Sequence, residues 1–240
     1  MNTPAKSPRH SLVTGANRGV GLEFVLQLLA HGDHVIATCR HPGKAGALNA
    51  LVGAHPGRLH VLPLDVADPK SQAGLAGELP LVLGEDGRLG LLVNNAGVLH
   101  SGERFGKVSL DLLDDSFRIN AAGPFLLTQA LAPLLADGAR VANLSSELGS
   151  IADAGRFGTP SYCISKAAQN MGSVLLAHAL AARGIVVVAL HPGWVQTDMG
   201  GPQSTLPAPD AVRGLLQVID GLKQEDSGSF RTWQGETLPW

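Results

Sequence analysis

Tyr162 and Lys166 stand four positions apart in Tyr162-Cys163-Ile164-Ser165-Lys166, and Tyr162 is the single tyrosine of the sequence. On a helix this spacing puts phenol and ammonium on one face, one turn apart. An ammonium beside a phenol favours the phenolate, so the pairing is expected to lower the tyrosine pKa from its ordinary value of about 10 towards working pH. A phenol tuned in this way is a competent general acid for an oxygen that gains negative charge. The same spacing also arises by accident, as a half-buried tyrosine beside a solvated lysine. Against accident stands its place in the chain, just downstream of an apolar run that ends Asn143-Leu144-Ser145-Ser146.

A second group of residues suits a different task. Thr14-Gly15-Ala16-Asn17-Arg18-Gly19-Val20-Gly21 follows the first apolar run and opens an amphipathic stretch. Glycines at a strand-to-helix turn let the backbone approach a pyrophosphate, and the helix N-terminus behind them offers free N–H groups. The spacing is T-G-x-x-x-G-x-G, and glycines also punctuate ordinary turns. About 20 residues further on, a dinucleotide site for NAD carries an acidic residue for the ribose 2′-hydroxyl. Here the second run ends Thr38-Cys39-Arg40 without a carboxylate. Arg40, with Arg18 from the glycine loop, is placed to clasp a 2′-phosphate instead; the alternative is a pair of solvated surface arginines. NADP(H) is the expected cofactor.

The elements that would hold these groups alternate along the chain. Short apolar runs at Ser11–Thr14, His34–Cys39, Leu59–Leu64, Leu89–Val93, Arg140–Leu144, Ile185–Leu190 and Ser229–Thr232 read as strands. Helical periodicity spans Gly19–His31, Lys44–Ala54, Pro69–Leu79, Leu110–Ala136, Ser161–Arg183 and Asp210–Leu222, with Pro124 and Pro133 expected to bend or interrupt the fourth. Asp68 before Pro69 and Ser109 before Leu110 are N-cap signals. Such alternation predicts an α/β fold of the Rossmann type, a doubly wound, mostly parallel seven-stranded sheet with helices on both faces. No linker divides residues 1–240, so one domain is expected. Its ligands belong beyond the carboxyl ends of the strands. Asp65-Val66, Asn94-Asn95-Ala96-Gly97, Ser145-Ser146 and His191-Pro192-Gly193 would all meet there.

Composition narrows the function. Hydrophobic residues make up 45% and charged residues 16%, with 30 glycines and 4% aromatic residues, which suits a core of aliphatic side chains between helices and sheet. A net charge of −2 without a basic block argues against nucleic acid as a partner. Two cysteines, Cys39 and Cys163, form no disulfide framework. Met1 to His10 is polar and lacks a signal-peptide core, and no apolar run reaches the roughly 18 residues of a membrane span, so a cytoplasmic protein without a membrane partner is expected. His31 and His34 sit at a helix-to-strand turn and read as surface histidines; no catalytic metal is expected.

Taken in order, the glycine loop, Asp65, Asn94-Asn95-Ala96-Gly97, Asn120, Ser146, Tyr162, Lys166 and Pro192-Gly193 resemble the motifs of the short-chain dehydrogenase/reductase family. Gly15–Gly19, Ala37–Arg40, His191–Met199 and Leu238–Trp240 are similar to the C-factor and sniffer-type carbonyl reductases within it. The resemblance implies a reductase of small-molecule carbonyls. Tyr162 would be the proton donor, Lys166 the ligand of the nicotinamide ribose, Ser146 the partner of the substrate carbonyl, and Asn120 the holder of a water leading to Lys166. Asp65 would meet adenine, Asn95 the adenosine-side ribose, and Val195 and Thr197 the carboxamide or phosphates. It further implies a homo-oligomer associating through Leu110–Ala136 and Ser161–Arg183, and a substrate loop over 194–209. The loop between Ser146 and Tyr162 is longer than the commonest family spacing. The C-factor likeness also raises an NADP(H)-binding signalling or sensor protein as an alternative. The complete Asn-Ser-Tyr-Lys set favours the enzyme, because a binding module has no need of an acid.

Overall fold

The computed structural model describes residues 8–85 and 87–240; the N-terminal reading for residues 1–7 lies outside them. Seven strands form one sheet in the order β3-β2-β1-β4-β5-β6-β7. They are β1 His10–Thr14, β2 His34–Cys39, β3 Leu59–Pro63, β4 Leu89–Asn94, β5 Leu135–Leu144, β6 Val186–His191 and β7 Phe230–Thr232. Every pairing is parallel, so the mostly parallel sheet expected is wholly so. The helices are α1 Gly19–Ala30, α2 Gly46–Ala54, α3 Pro69–Leu83, α4 Leu110–Phe117, α5 Gly123–Leu131, α6 Pro160–Leu180 and α7 Ala208–Gly221.

Successive side chains of a strand point to opposite faces, and both faces are covered here, which is why the strands read as unbroken apolar runs. Val13, Val35, Leu91 and Val188 pack with Phe24 and Leu28 of α1 and Leu215 and Ile219 of α7. Their neighbours Leu12, Ile36, Leu92 and Val187 pack on the other face with Leu79 of α3, Leu127 and Leu131 of α5, and Leu176 of α6. The strand order reverses between β1 and β4, and the crevice above that point is where the glycine loop emerges. No helix among the described residues is long and apolar enough to cross a membrane.

The helix expected over Leu110–Ala136, with Pro124 and Pro133 to bend or interrupt it, is interrupted near both. After α4 the chain widens into a π-turn, Arg118–Ala122, before α5 begins. Pro124 has no N–H with which to continue the ladder to Asn120, and the Gly123 amide reaches back five residues to the Arg118 carbonyl. Ala132–Leu134, around Pro133, is a 3-10 turn, and Leu135 already belongs to β5. The π-turn is what places Asn120 beneath the crevice. Asp68 and Ser109 cap α3 and α4 as expected, accepting from Lys70 N and Leu112 N.

Candidate active site

The strand ends open into a cleft of about 890 Å³. Gly15, Asn17, Arg18, Gly19, Val20 and Gly21 line it from the glycine loop, Arg40 from the end of β2, and Asp65 and Val66 from beyond β3. Asn95, Ala96 and Gly97 follow β4, Tyr162 and Lys166 come from α6, and Pro192 and Thr197 from beyond β6. The cradle tolerates nothing larger than glycine at one point: a Cβ on Gly21 would stand 2.4 Å from the Gly15 carbonyl oxygen. The loop is braced from β4. The Thr14 hydroxyl accepts from the amides of Asn95 and Ala96, and Asn95 Nδ2 donates to the Thr14 and Gly15 carbonyls at 2.8 and 3.1 Å.

Three expected cofactor residues are not among those that line the cleft. Asn94 is buried and donates to Thr128 Oγ1 and Asn143 Oδ1, tying β4 to α5 and β5. Gly193 packs against Leu206 and Trp233. Val195 is buried and pairs with Leu206, closing the base of the 194–209 segment. Asn95 lines the cleft, but both its amide contacts go to the glycine loop rather than outward. Arg18 is ion-paired at 2.8 Å with Asp198, an exposed contact that joins the glycine loop to the 194–209 segment. Trp194, half exposed, donates its indole N–H to the Gly200 carbonyl.

These contacts put a dinucleotide-type cradle and a tyrosine–lysine helix on one cleft. The short chain dehydrogenase family model matches residues 9–206. The chain belongs to the short-chain dehydrogenase family. C-signal of Myxococcus xanthus is 49% identical over 156 residues, 64% of this chain and 94% of that protein. An NADPH-bound carbonyl reductase from chicken fatty liver superposes with a TM-score of 0.92 at 39% identity, covering 97% of this chain and 99% of that one. Carbonyl reductase Sniffer of D. melanogaster superposes with a TM-score of 0.93 at 32% identity, covering 97% and 100%. The protein is thus an oxidoreductase of this family, similar to the C-signal and carbonyl reductase relatives that its motifs resembled.

Within this short-chain dehydrogenase the helix that bears Tyr162 and Lys166 is held at its start by a residue that sequence reasoning missed. Glu103, from the loop after β4, accepts from Ser161 Oγ at 2.7 Å and from Ser161 N at 3.3 Å. A carboxylate at this position meets the positive end of the helix and fixes the turn that bears Tyr162. Of the two serines that follow β5, Ser145 commits its hydroxyl to Asn170 at 2.6 Å, whereas Ser146 Oγ accepts from the Leu148 amide at 3.2 Å. The turn after Ser146 is pinned by β6, where His191 Nδ1 accepts the Glu147 amide at 3.2 Å. Asn120 bonds directly to protein: Oδ1 accepts from Val98 N, and Nδ2 donates to Val98 O and Ser165 Oγ. It braces α6 against the loop after β4.

The electrostatics correct one expectation. Tyr162 is pushed up to about 12, first by burial, with the Ser146 hydroxyl pulling the other way. Lys166 does not lower the phenol. Its Nζ is 5.6 Å from the ring centroid and donates instead to Leu144 O at 2.6 Å and Gln169 Oε1 at 2.8 Å. Burial also brings the lysine down to about 7, so the dry wall of the cleft disfavours charge on both groups. Gln169 lies three residues after Lys166, a spacing that brings side chains together on a helix and signals the pair in the sequence.

Proposed function

We propose that this chain is an NADPH-dependent carbonyl reductase, converting an aldehyde, ketone or quinone to the alcohol. The observation that carries the reading is that Tyr162 and Lys166, one turn apart on α6, line the wall of a cleft whose floor is a glycine cradle. When bound, NADPH would supply the hydride to the carbonyl carbon. The chain's own residues do the rest. Ser146 donates to the carbonyl oxygen and orients it, and Tyr162 delivers its proton to that oxygen as negative charge develops. Lys166 faces the nicotinamide ribose, and Asn120 keeps the helix bearing both groups in place. Gly15, Asn17, Gly19, Val20 and Gly21 take the pyrophosphate at the start of α1. Asp65, Val66, Asn95, Ala96 and Gly97 line the adenosine side, with Pro192 and Thr197 beside the nicotinamide. Arg40 supports NADPH over NADH: it ends β2 where an acidic residue would otherwise hold the ribose, and Lys44 lines the same corner.

In this reading the chain works as one unit, with the 194–209 segment folding over the substrate. The free thiols Cys39 and Cys163 fit the reducing cytoplasm. Exposed Ile164, Met171 and Leu175 on α6 support a homo-oligomer.

NADPH absorbance followed with a panel of aldehydes, ketones and quinones tests the proposal, with wild type set against Tyr162→Phe. We expect turnover that falls on the order of 10³-fold in the variant, while NADPH binding is retained. Tight NADPH binding without turnover on any carbonyl would move the assignment to an NADP(H) sensor. No NADPH binding at all would sink both.

A further inference from the structure

Lys166 is buried in the cleft wall, and no carboxylate among the described residues pairs with it. Two of its three N–H donors have partners, the Leu144 carbonyl and the Gln169 amide oxygen. The first is backbone and present whatever the sequence. The second is a choice of side chain. Gln169 is itself buried, and its Nε2 has no hydrogen-bond partner. An unpartnered amide nitrogen in the interior is costly, and an apolar side chain of similar size would avoid the penalty. Turning the amide round would not help, because it would set N–H donors against an ammonium. What glutamine alone supplies at this position is an acceptor for Lys166.

We propose that Gln169 is a positioning residue for Lys166, its amide oxygen holding the ammonium charged and fixed in the cleft wall before any cofactor is present. A buried ammonium without a counter-charge tends to neutralise, and an acceptor aimed at it opposes that. Among the described residues Nζ donates to the Leu144 carbonyl and the Gln169 amide oxygen, with the Tyr162 ring centroid 5.6 Å away and with Gly97 and Asn120 beside it, and burial pulls the lysine down. Among the described residues Gln169 is therefore the side chain whose acceptor is aimed at Nζ. That Lys166 serves the nicotinamide ribose rests on the function proposed above; its dependence on Gln169 does not.

The test is the titration of Lys166 in the cofactor-free protein, read by NMR of ¹³C-labelled lysine, with the signal assigned by its loss in Lys166→Met. Wild type is compared with Gln169→Leu, Gln169→Met and Gln169→Glu. Loss of one charge-assisted hydrogen bond lowers the midpoint on the order of one pH unit in the Leu and Met variants. A carboxylate raises it by at least as much in the Glu variant. Met keeps the length of the side chain, and Glu keeps its shape and an acceptor, so a folding failure of one variant leaves the others decisive. Equal midpoints across the set would overturn the proposal. A second arm titrates NADPH against pH by binding alone, and its alkaline limb is expected to move with the lysine midpoint. Lysine midpoints that rank as expected in a protein that binds no NADPH would leave Gln169's role standing and the cofactor reading fallen. NADPH binding with an unmoved lysine would do the reverse.

Discussion

Tyr162 keeps its proton because the surrounding protein offers a phenolate almost no water. With its pKa at about 12 the phenol stays protonated throughout the neutral range, which suits a donor and works against a base. The same shift bears on stability with a definite sign: its contribution is fully present below the ordinary value of about 10 and is lost as pH rises through the folded value. Arg40 and Arg18 divide a role that their sequence positions joined. Arg40 ends β2 in the cleft, whereas Arg18 is committed to an exposed ion pair with Asp198. Arg40→Ala is expected to weaken NADPH about 10- to 100-fold while leaving NADH affinity nearly unchanged, measured by fluorescence titration of both. Arg18→Ala should cost less, since it first removes a solvent-screened pair. An Arg40 variant that loses both cofactors equally would place the 2′-phosphate elsewhere.

At the scale of elements, the π-turn between α4 and α5 is the feature on which Asn120 depends. Its geometry is enforced from two sides. Pro124 removes a ladder hydrogen bond, and Gly123 lets the turn press against its surroundings, where an added Cβ would stand 2.7 Å from the Val66 carbonyl oxygen and 3.0 Å from that of Arg118. Both of those atoms are backbone and neither can swing away. Gly123→Ala is therefore expected to destabilise the fold by about 1–3 kcal/mol, read as a lower urea midpoint at unchanged slope. An unshifted midpoint would mean that the turn accommodates a methyl group. The two prolines signalled a break, and their positions were legible; the widened turn was not, because it follows from the packing of Gly123 against a loop some 57 residues away in the chain (Val66 to Gly123). Glu103 is hidden for the same reason. A lone glutamate in an irregular loop shows its task only once the loop lies over the start of α6.

The molecule as a whole leaves one helical face uncovered. Ile164, Met171 and Leu175 of α6 are each more than half exposed, and Leu126 of α5 lies on the neighbouring helix at 41%. A second copy covering this patch would exceed the 24.8 kDa of one chain. Sedimentation is expected to show a larger species that Met171→Glu returns to the single-chain mass, since a charge at a buried interface costs more than the contact it replaces. A wild type that sediments as one chain would end the expectation. The architecture itself was readable from the residues. Apolar runs of strand length alternate with amphipathic stretches, and both arise from local periodicity that burial on a sheet imposes on every strand and helix. The glycine loop, Arg40, Tyr162 and Lys166 were readable too, because strand ends in such a fold share one edge and thus converge without further information. Tertiary structure alone decided which polar groups remain free for a ligand. Asn94, Asn95 and Asn120 look alike as side chains near the site, yet their amides are taken by Thr128, Thr14 and Val98, residues 22 to 81 positions away. It also decided the charge on the phenol. The spacing of Tyr162 and Lys166 sets their proximity, but the water withheld from both by the packed wall of the cleft outweighs any effect of one on the other.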